Sequence, residues 1–265
     1  MIFLVISLII SLIIKYIYHK HLSYDKRFNY NFQINTNLYS KSTYNEIYSK
    51  IYDDLFYNKE RYDFETNIIL NIIKKNFKDK NDKKWLDLAC GTSKHYSNSV
   101  SDIQYIGLDK SKYMLNQAIK HNTHKKFINY NLENLDKLKG QYDIITSFYC
   151  GLFYVKNIEK VLNDIYNKLN GYLIIVCLDK TKLENLTLKL KYKNKIIRYE
   201  GKWENIDDKT YYREYFYERG ILIYYNEHIM YLNIEKFIKK FKIIKRIEYK
   251  NIFDAGDEYM LILKV

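Results

Sequence analysis

The chain opens on an almost unbroken apolar run: Met1 to Ile14 contains no polar residue except Ser7 and Ser11. As a helix, Ile2 to Tyr18 would reach roughly 25 Å, a little short of a full hydrocarbon core. Lys15 can extend its ammonium to the interface, and Tyr16 and Tyr18 suit that depth. The pattern therefore predicts a membrane anchor over residues 1–21. A cleaved signal peptide would want a basic start and small residues at a cleavage point, and neither is present. Lys15, Lys20, Lys26 and Arg27 follow the apolar run, which places the rest of this single-pass chain on the cytosolic side. Residues 22–42 are polar, rich in Asn and Tyr, and without period, as in a linker.

Further on, helical spacing links Ile47, Ile51 and Leu55, then Ile68, Ile69, Ile72, Ile73 and Phe77, and the charged stretch Lys78 to Lys84 ends the second helix. Short apolar runs then alternate with helical stretches. The runs are Trp85–Leu88, Tyr105–Leu108, Phe127–Ile128, Tyr142–Ile145 and Tyr172–Val176. Before the last of them, Ile158, Val161, Leu162, Ile165 and Leu169 form one stripe, with Asn170-Gly171 as the stop. This alternation predicts βαβ units and a parallel sheet covered on both faces. The last third changes character: 196–203, 211–217 and 221–231 read as antiparallel strands, with Arg219-Gly220 as a turn. A helix over about 233–241 and two closing strands, 243–249 and 258–265, complete one domain over 43–265, with an insertion at about 180–231.

Composition adds less. The 30 Tyr, the absence of Pro and the abundance of Asn, Ile and Lys are spread over every segment, so they describe a background preference. A net charge of +13 suits anionic partners such as nucleic acid, but the lysines form no single patch in the sequence. Cys90, Cys150 and Cys177 lie far apart without a CxxC pair, which argues against a disulfide framework and against a metal site.

Ligands of open α/β sheets bind at the carboxyl ends of the strands, where strand order reverses. Three such ends stand out. Asp87-Leu88-Ala89-Cys90-Gly91-Thr92-Ser93 follows the first strand, and Gly91 lets backbone approach a ligand closely. Asp109 closes the second strand, where a carboxylate can accept both hydroxyls of a ribose; it could equally be a helix N-cap, with Ser111 the alternative cap. Asn131-Leu132-Glu133 follows the third strand and offers a polar edge to a base. A nicotinamide dehydrogenase shares the glycine turn and the ribose acid, but its GxGxxG fingerprint is absent. His95, just past the turn, reads as a surface residue, while Tyr149, Tyr154 and His228 are candidates for an acceptor side.

The runs Leu86 to Thr92 and Gly107-Leu108-Asp109-Lys110-Ser111 with Met114-Leu115 resemble motifs I and II of class I methyltransferases that use S-adenosylmethionine (SAM). Asn131 to Leu135 and Tyr142 to Phe148 continue the likeness in order over about residues 45–180. The resemblance implies a Rossmann-like, mostly parallel seven-stranded sheet with an antiparallel last strand, and SAM as cofactor. It implies cofactor contacts from Asp87, Ala89, Gly91 and Thr92 in the first turn. Asp109 follows at the ribose, Met114, Asn131 and Leu132 at the adenine, and Phe148 beside the sulfonium, with Lys110 a further cofactor contact. Ala89 and Ser93 stand where the family usually has glycine. No catalytic residue is implied, because an activated methyl group mainly needs alignment. The expected partner is a small or lipid-like methyl acceptor; a nucleic-acid or protein acceptor and a non-catalytic binding module are the alternatives. Tyr52, Tyr57 and Tyr62 on the two early helices are expected to form a lid.

Overall fold

The expected alternation of strands and helices builds a seven-stranded sheet. In the computed structural model, residues 44–77, 82–96, 103–192, 195–207, 209–232, 234–253 and 258–265 are described. The anchor and linker expected over 1–42 lie outside these residues. Among the described residues, no helix is long and apolar enough to cross a membrane.

Two helices come first, α1 (Glu46–Phe56) and α2 (Lys59–Asn76), each capped by an Asn side chain: Asn45 accepts from the Tyr48 N–H and Asn58 from the Arg61 N–H. Then follow β1 (Lys84–Leu88), β2 (Gln104–Asp109), α3 (Lys112–His121), β3 (Lys126–Asn129), β4 (Tyr142–Ser147), α4 (Ile158–Lys168) and β5 (Leu169–Leu178). An antiparallel group follows, β6 (Leu186–Tyr192), β7 (Lys195–Ile206), β8 (Lys209–Glu218) and β9 (Ile221–Met230). The chain closes with β10 (Lys242–Glu248), the short α5 (Lys250–Phe253) and β11 (Glu258–Lys264).

The large sheet runs β10-β11-β5-β4-β1-β2-β3, and the insertion forms a separate sheet, β6-β7-β8-β9. β1 to β5 are parallel, whereas β11 lies antiparallel between β5 and β10. Successive side chains of a strand point to opposite faces, and the core divides accordingly. Leu86, Leu88, Ile145, Leu173 and Ile175 face one side with Val161, Leu162 and Ile165 of α4. Trp85, Ile144, Ile174 and Val176 face the other with Ile69 and Ile73 of α2. A third cluster packs Tyr48, Ile51 and Leu55 of α1 on Tyr199, Phe216 and Tyr224 of the small sheet.

Three expectations need correcting. The stop at Asn170-Gly171 is not a helix cap: Leu169 is already extended and begins β5. Gly171 sits inside that strand because a Cβ there would lie 2.3 Å from the Asp143 carbonyl oxygen. The expected helix at 233–241 is two single 3-10 turns, Ile234–Lys236 and Ile238–Lys240, which bury only Ile234 and Ile238. The insertion has four strands rather than three, because β6, with lysines at alternate positions, gives no apolar run.

Candidate functional site

β1 is followed by β2 on one side and flanked by β4 on the other, so strand order reverses at its tip. The chain leaving β1 turns through three left-handed positions, Ala89 (φ 53°), Gly91 (φ 56°) and Ser93 (φ 58°). Ala89 and Ser93 thus adopt the conformation that glycine takes freely, at a cost on the order of 1–2 kcal/mol each. The chain leaving β4 does the same at Tyr149 (φ 46°) and Cys150 (φ 63°). Strain of this kind concentrates where surrounding structure enforces it, commonly at ligand sites.

Buried side chains enforce it here. Asp87 accepts hydrogen bonds from Thr146 Oγ1 (2.7 Å) and Tyr105 OH (2.9 Å). Trp85 Nε1 donates to Thr146 Oγ1 (2.8 Å), and the Tyr105 hydroxyl meets Ser93 Oγ (2.7 Å). Asp87 therefore ties β1, β2 and β4 to the turn, and its burial raises its pKa. The Ser93 hydroxyl belongs to this network.

Asp109 at the end of β2 accepts from the Gly91 N–H (2.9 Å) and the Ser111 N–H (2.7 Å). Ser111 is the N-cap of α3, its Oγ accepting from the Met114 N–H at 3.3 Å, so the cap belongs to Ser111 and the carboxylate to the turn. Burial pushes the Asp109 carboxyl up to about 6, against the pull of the two N–H groups. Each carboxylate oxygen keeps a lone pair for a further donor. A Cβ on Gly91 would stand 3.3 Å from Met114 Cε, which places Met114 directly beneath the turn.

Asp87, Ala89, Gly91, Thr92 and Phe148 line one cleft with Tyr52, Tyr62, Cys90, Lys94, His95 and Tyr149, around a cavity of about 20 Å³. Asp109 adjoins it through Gly91. Asn131 and Leu132 follow β3, whose end is bonded to β2 by the Tyr130 N–H to the Asp109 carbonyl (2.9 Å). The Asn131 side chain accepts from the Glu133 N–H (3.2 Å) and Leu132 is buried. Lys110 is exposed and contributes its carbonyl to Asn129 Nδ2 (2.8 Å). Of the expected lid tyrosines, Tyr52 and Tyr62 reach the cleft, whereas Tyr57 is 46% exposed.

His95 is not a surface residue; it is 4% exposed. Its ring lies between Phe148 (4.0 Å) and Tyr62 (4.2 Å), and its Nε2 bonds to Glu65 Oε2. Glu65 also accepts from Arg61 Nε (3.0 Å) and Tyr249 OH (2.6 Å). Burial alone would raise the Glu65 carboxyl, but Arg61 and His95 hold it below its ordinary range. Arg61 in turn forms a two-pronged pair with Glu258 (2.5 and 3.1 Å) and lies 4.2 Å over the Tyr149 ring. The Arg61/Glu65 pair at i,i+4 is the one part of this network that spacing could have shown.

Beyond the cleft, Tyr44 bridges it to the small sheet, with its ring 6.4 Å from Tyr52, 6.0 Å from Tyr154 and 5.9 Å from His228. His228 Nε2 bonds to Glu214 Oε2 (2.8 Å), and Glu214 also accepts from Tyr48 OH (2.7 Å) and Tyr199 OH (2.9 Å). The candidate Tyr154 therefore stands between the strand tips and the inserted sheet, its ring 5.1 Å from His228, whereas Tyr149 packs on Tyr62 and Arg61 of α2.

Known proteins can be compared with this geometry. A family model described as "Methyltransferase domain" matches residues 79–220, more than half of the 265-residue chain. The chain belongs to the methyltransferase domain family. Among solved structures, it resembles an S-adenosylmethionine-dependent methyltransferase from Clostridium acetobutylicum (TM-score 0.65, 20% identity), over 83% of this chain and 98% of that one. It also resembles DesVI of Streptomyces venezuelae (TM-score 0.63, 14% identity, 81% and 97%). A third is CalS10, an amino pentose methyltransferase from Micromonospora echinaspora (TM-score 0.63, 10% identity, 85% and 99%). At these identities the likeness is one of fold. No curated protein sequence matches at a significant level. The chain is a class I methyltransferase and SAM is its cofactor. The residues present fit that cofactor. A carboxylate with spare lone pairs and a glycine turn meet at the reversal point of the sheet, where Tyr52, Tyr62 and Tyr149 close the cleft down to a small cavity.

Proposed function

We propose that this methyltransferase transfers the methyl group of SAM to a small-molecule acceptor held between the tips of β1 and β4 and the inserted sheet. The observation that supports this most is Asp109, which accepts from the Gly91 N–H beside the strand-tip cleft and keeps lone pairs for a ribose. When bound, the cofactor supplies a carbon already activated by its sulfonium. The protein's part is alignment and exclusion of water.

In this reading Asp87, Ala89, Gly91 and Thr92 shape the turn around the amino-acid portion, and Asp109 holds the ribose beside Lys110. Met114, Asn131 and Leu132 border the adenine, and Phe148 stands beside the sulfur. Thr92 Oγ1 donates to Asp53 of α1 (2.6 Å), so the first early helix is tied to the cofactor turn. Tyr52 and Tyr62 cover the cleft. The acceptor meets Tyr149, Tyr154 and Tyr44, whose rings offer flat apolar faces and whose hydroxyls offer polar contacts. CalS10 is described as an amino pentose methyltransferase, which agrees with a small acceptor. Residues 1–21 would tether the enzyme to a membrane with this domain on the cytosolic side, close to amphipathic acceptors.

The test is to incubate the full chain in mild detergent with methyl-labelled SAM and extract of the source cells, then fractionate. Label in a small organic-soluble or water-soluble compound is the expected result. Label confined to protein or nucleic acid, or no transfer at all, would overturn the proposal.

A further inference from the structure

One group of the scattered lysines meets at the free edge of the large sheet. Among the described residues, β10 pairs with β11 on one side and with no strand on the other. Over residues 235–250, which lead into β10 and through it, seven cations stand against two carboxylates. Both carboxylates, Glu235 and Glu248, bond to Arg246 (2.8 and 2.7 Å). Lys236, Lys239, Lys240, Lys242, Lys245 and Lys250 are all exposed, and among the described residues none of them pairs with a carboxylate. In their midst Ile243 is 55% exposed and Ile244 46%.

Lysines alone on an edge strand have a simple purpose, since their charge keeps unpaired N–H and C=O groups from recruiting another strand. Two adjacent exposed isoleucines work against that purpose. The register also shifts between Ile243 and Lys245, so Ile244 sits in a bulge that does not template a further strand. Apolar side chains ringed by ammonium groups suit a boundary between hydrocarbon and anionic headgroups. Nucleic acid fits less well, because it wants exposed rings for stacking and free guanidinium groups. Here Phe241 and Tyr249 are buried, Phe237 packs on the core, and the one arginine is engaged. We propose that the β10 edge docks on an anionic lipid surface. Ile243 and Ile244 enter the headgroup layer, and the lysines around them meet the lipid phosphate and carboxylate groups. Each lysine close to such a surface strengthens the attachment about fivefold.

The experiment is brief acetylation of the full chain reconstituted in two kinds of vesicle, with the modified lysines located by mass spectrometry. One kind is phosphatidylcholine alone; the other is phosphatidylcholine and phosphatidylserine in equal parts. Any tether through residues 1–21 acts on both alike, so the comparison isolates the edge. Lys242 and Lys245 should react about threefold or more slowly on the phosphatidylserine vesicles. Lys126 on β3, exposed at the opposite edge of the sheet, should react equally on both. High salt should abolish the difference, and single-stranded RNA in place of vesicles should protect neither lysine. The pair Lys239→Glu and Lys240→Glu, and separately the pair Ile243→Ser and Ile244→Ser, should each remove most of the protection. All four positions are exposed, so both variants should melt within about 3 °C of the wild type. Equal rates on the two lipids, equal protection of Lys126, protection that survives both double variants, or stronger protection by RNA would overturn the proposal.

Discussion

Asp109→Asn offers a perturbation whose effects on stability and on binding differ in sign. Burial holds the folded carboxyl at about 6, and an unfolded Asp titrates near 3.9. The folded state therefore takes up a proton between these values that the unfolded state does not. A stabilising contribution is fully present below about pH 4 and is lost as pH rises through about 6. About two pH units correspond to roughly 3 kcal/mol, nearer 2 after allowing for the partial access of this side chain to solvent. Asn removes that burdened charge, but it can accept only one of the two N–H groups, and the orphan costs about 1–3 kcal/mol. At pH 7 the variant should therefore unfold within about 1–2 kcal/mol of the wild type. On moving to pH 5 the wild type should gain on the variant. Ribose binding behaves oppositely, because the ionised carboxylate is the form that accepts two hydroxyls. Wild-type affinity for S-adenosylhomocysteine (SAH) should fall about tenfold per pH unit below about 6, while the variant binds about 30- to 150-fold more weakly at pH 7 and loses little more on acidification. Denaturant unfolding at pH 7, 6 and 5, with titration of SAH at the same values, reads both. A wild-type affinity that is flat from pH 7 to 5, or a stability difference that does not move with pH, refutes the reasoning.

Gly91→Ala should destabilise the chain by about 1–2 kcal/mol, because a left-handed alanine is strained and its Cβ meets Met114 Cε at 3.3 Å; it should also weaken SAH, as titration would show. Glu214→Ala strips the acceptor from Tyr48, Tyr199 and His228, all buried, and should cost about 3–5 kcal/mol in denaturant unfolding. It should also expose α1 to limited proteolysis, since Tyr48 belongs to that helix. Glu65→Gln leaves Arg61 with Glu258 but removes the charge facing His95, and should lower stability by about 1–3 kcal/mol at pH 7, measured in the same way.

The parallel sheet was legible because its strands are buried on both faces and therefore read as apolar runs, such as Tyr172 to Val176. The three strand-tip segments were legible for the same reason, since each follows a recognisable strand. β6 was missed because its outward lysines at 189 and 191 dilute the apolar signal of a strand with one packed face. His95 was misread because its burial depends on Glu65, thirty residues earlier on α2, and on Phe148 just after β4. No local pattern encodes such a meeting. Ala89 and Ser93 looked like weaknesses in a glycine turn. The fold shows both in the left-handed conformation, enforced by the Asp87–Tyr105–Ser93 network.

The structure of the full chain with SAH bound tests the cofactor site most directly. The account predicts both ribose oxygens within about 2.6–3.2 Å of the Asp109 carboxylate, with the sulfur toward Phe148. A ribose bound away from Asp109, or a ligand lying elsewhere on the sheet, would contradict it.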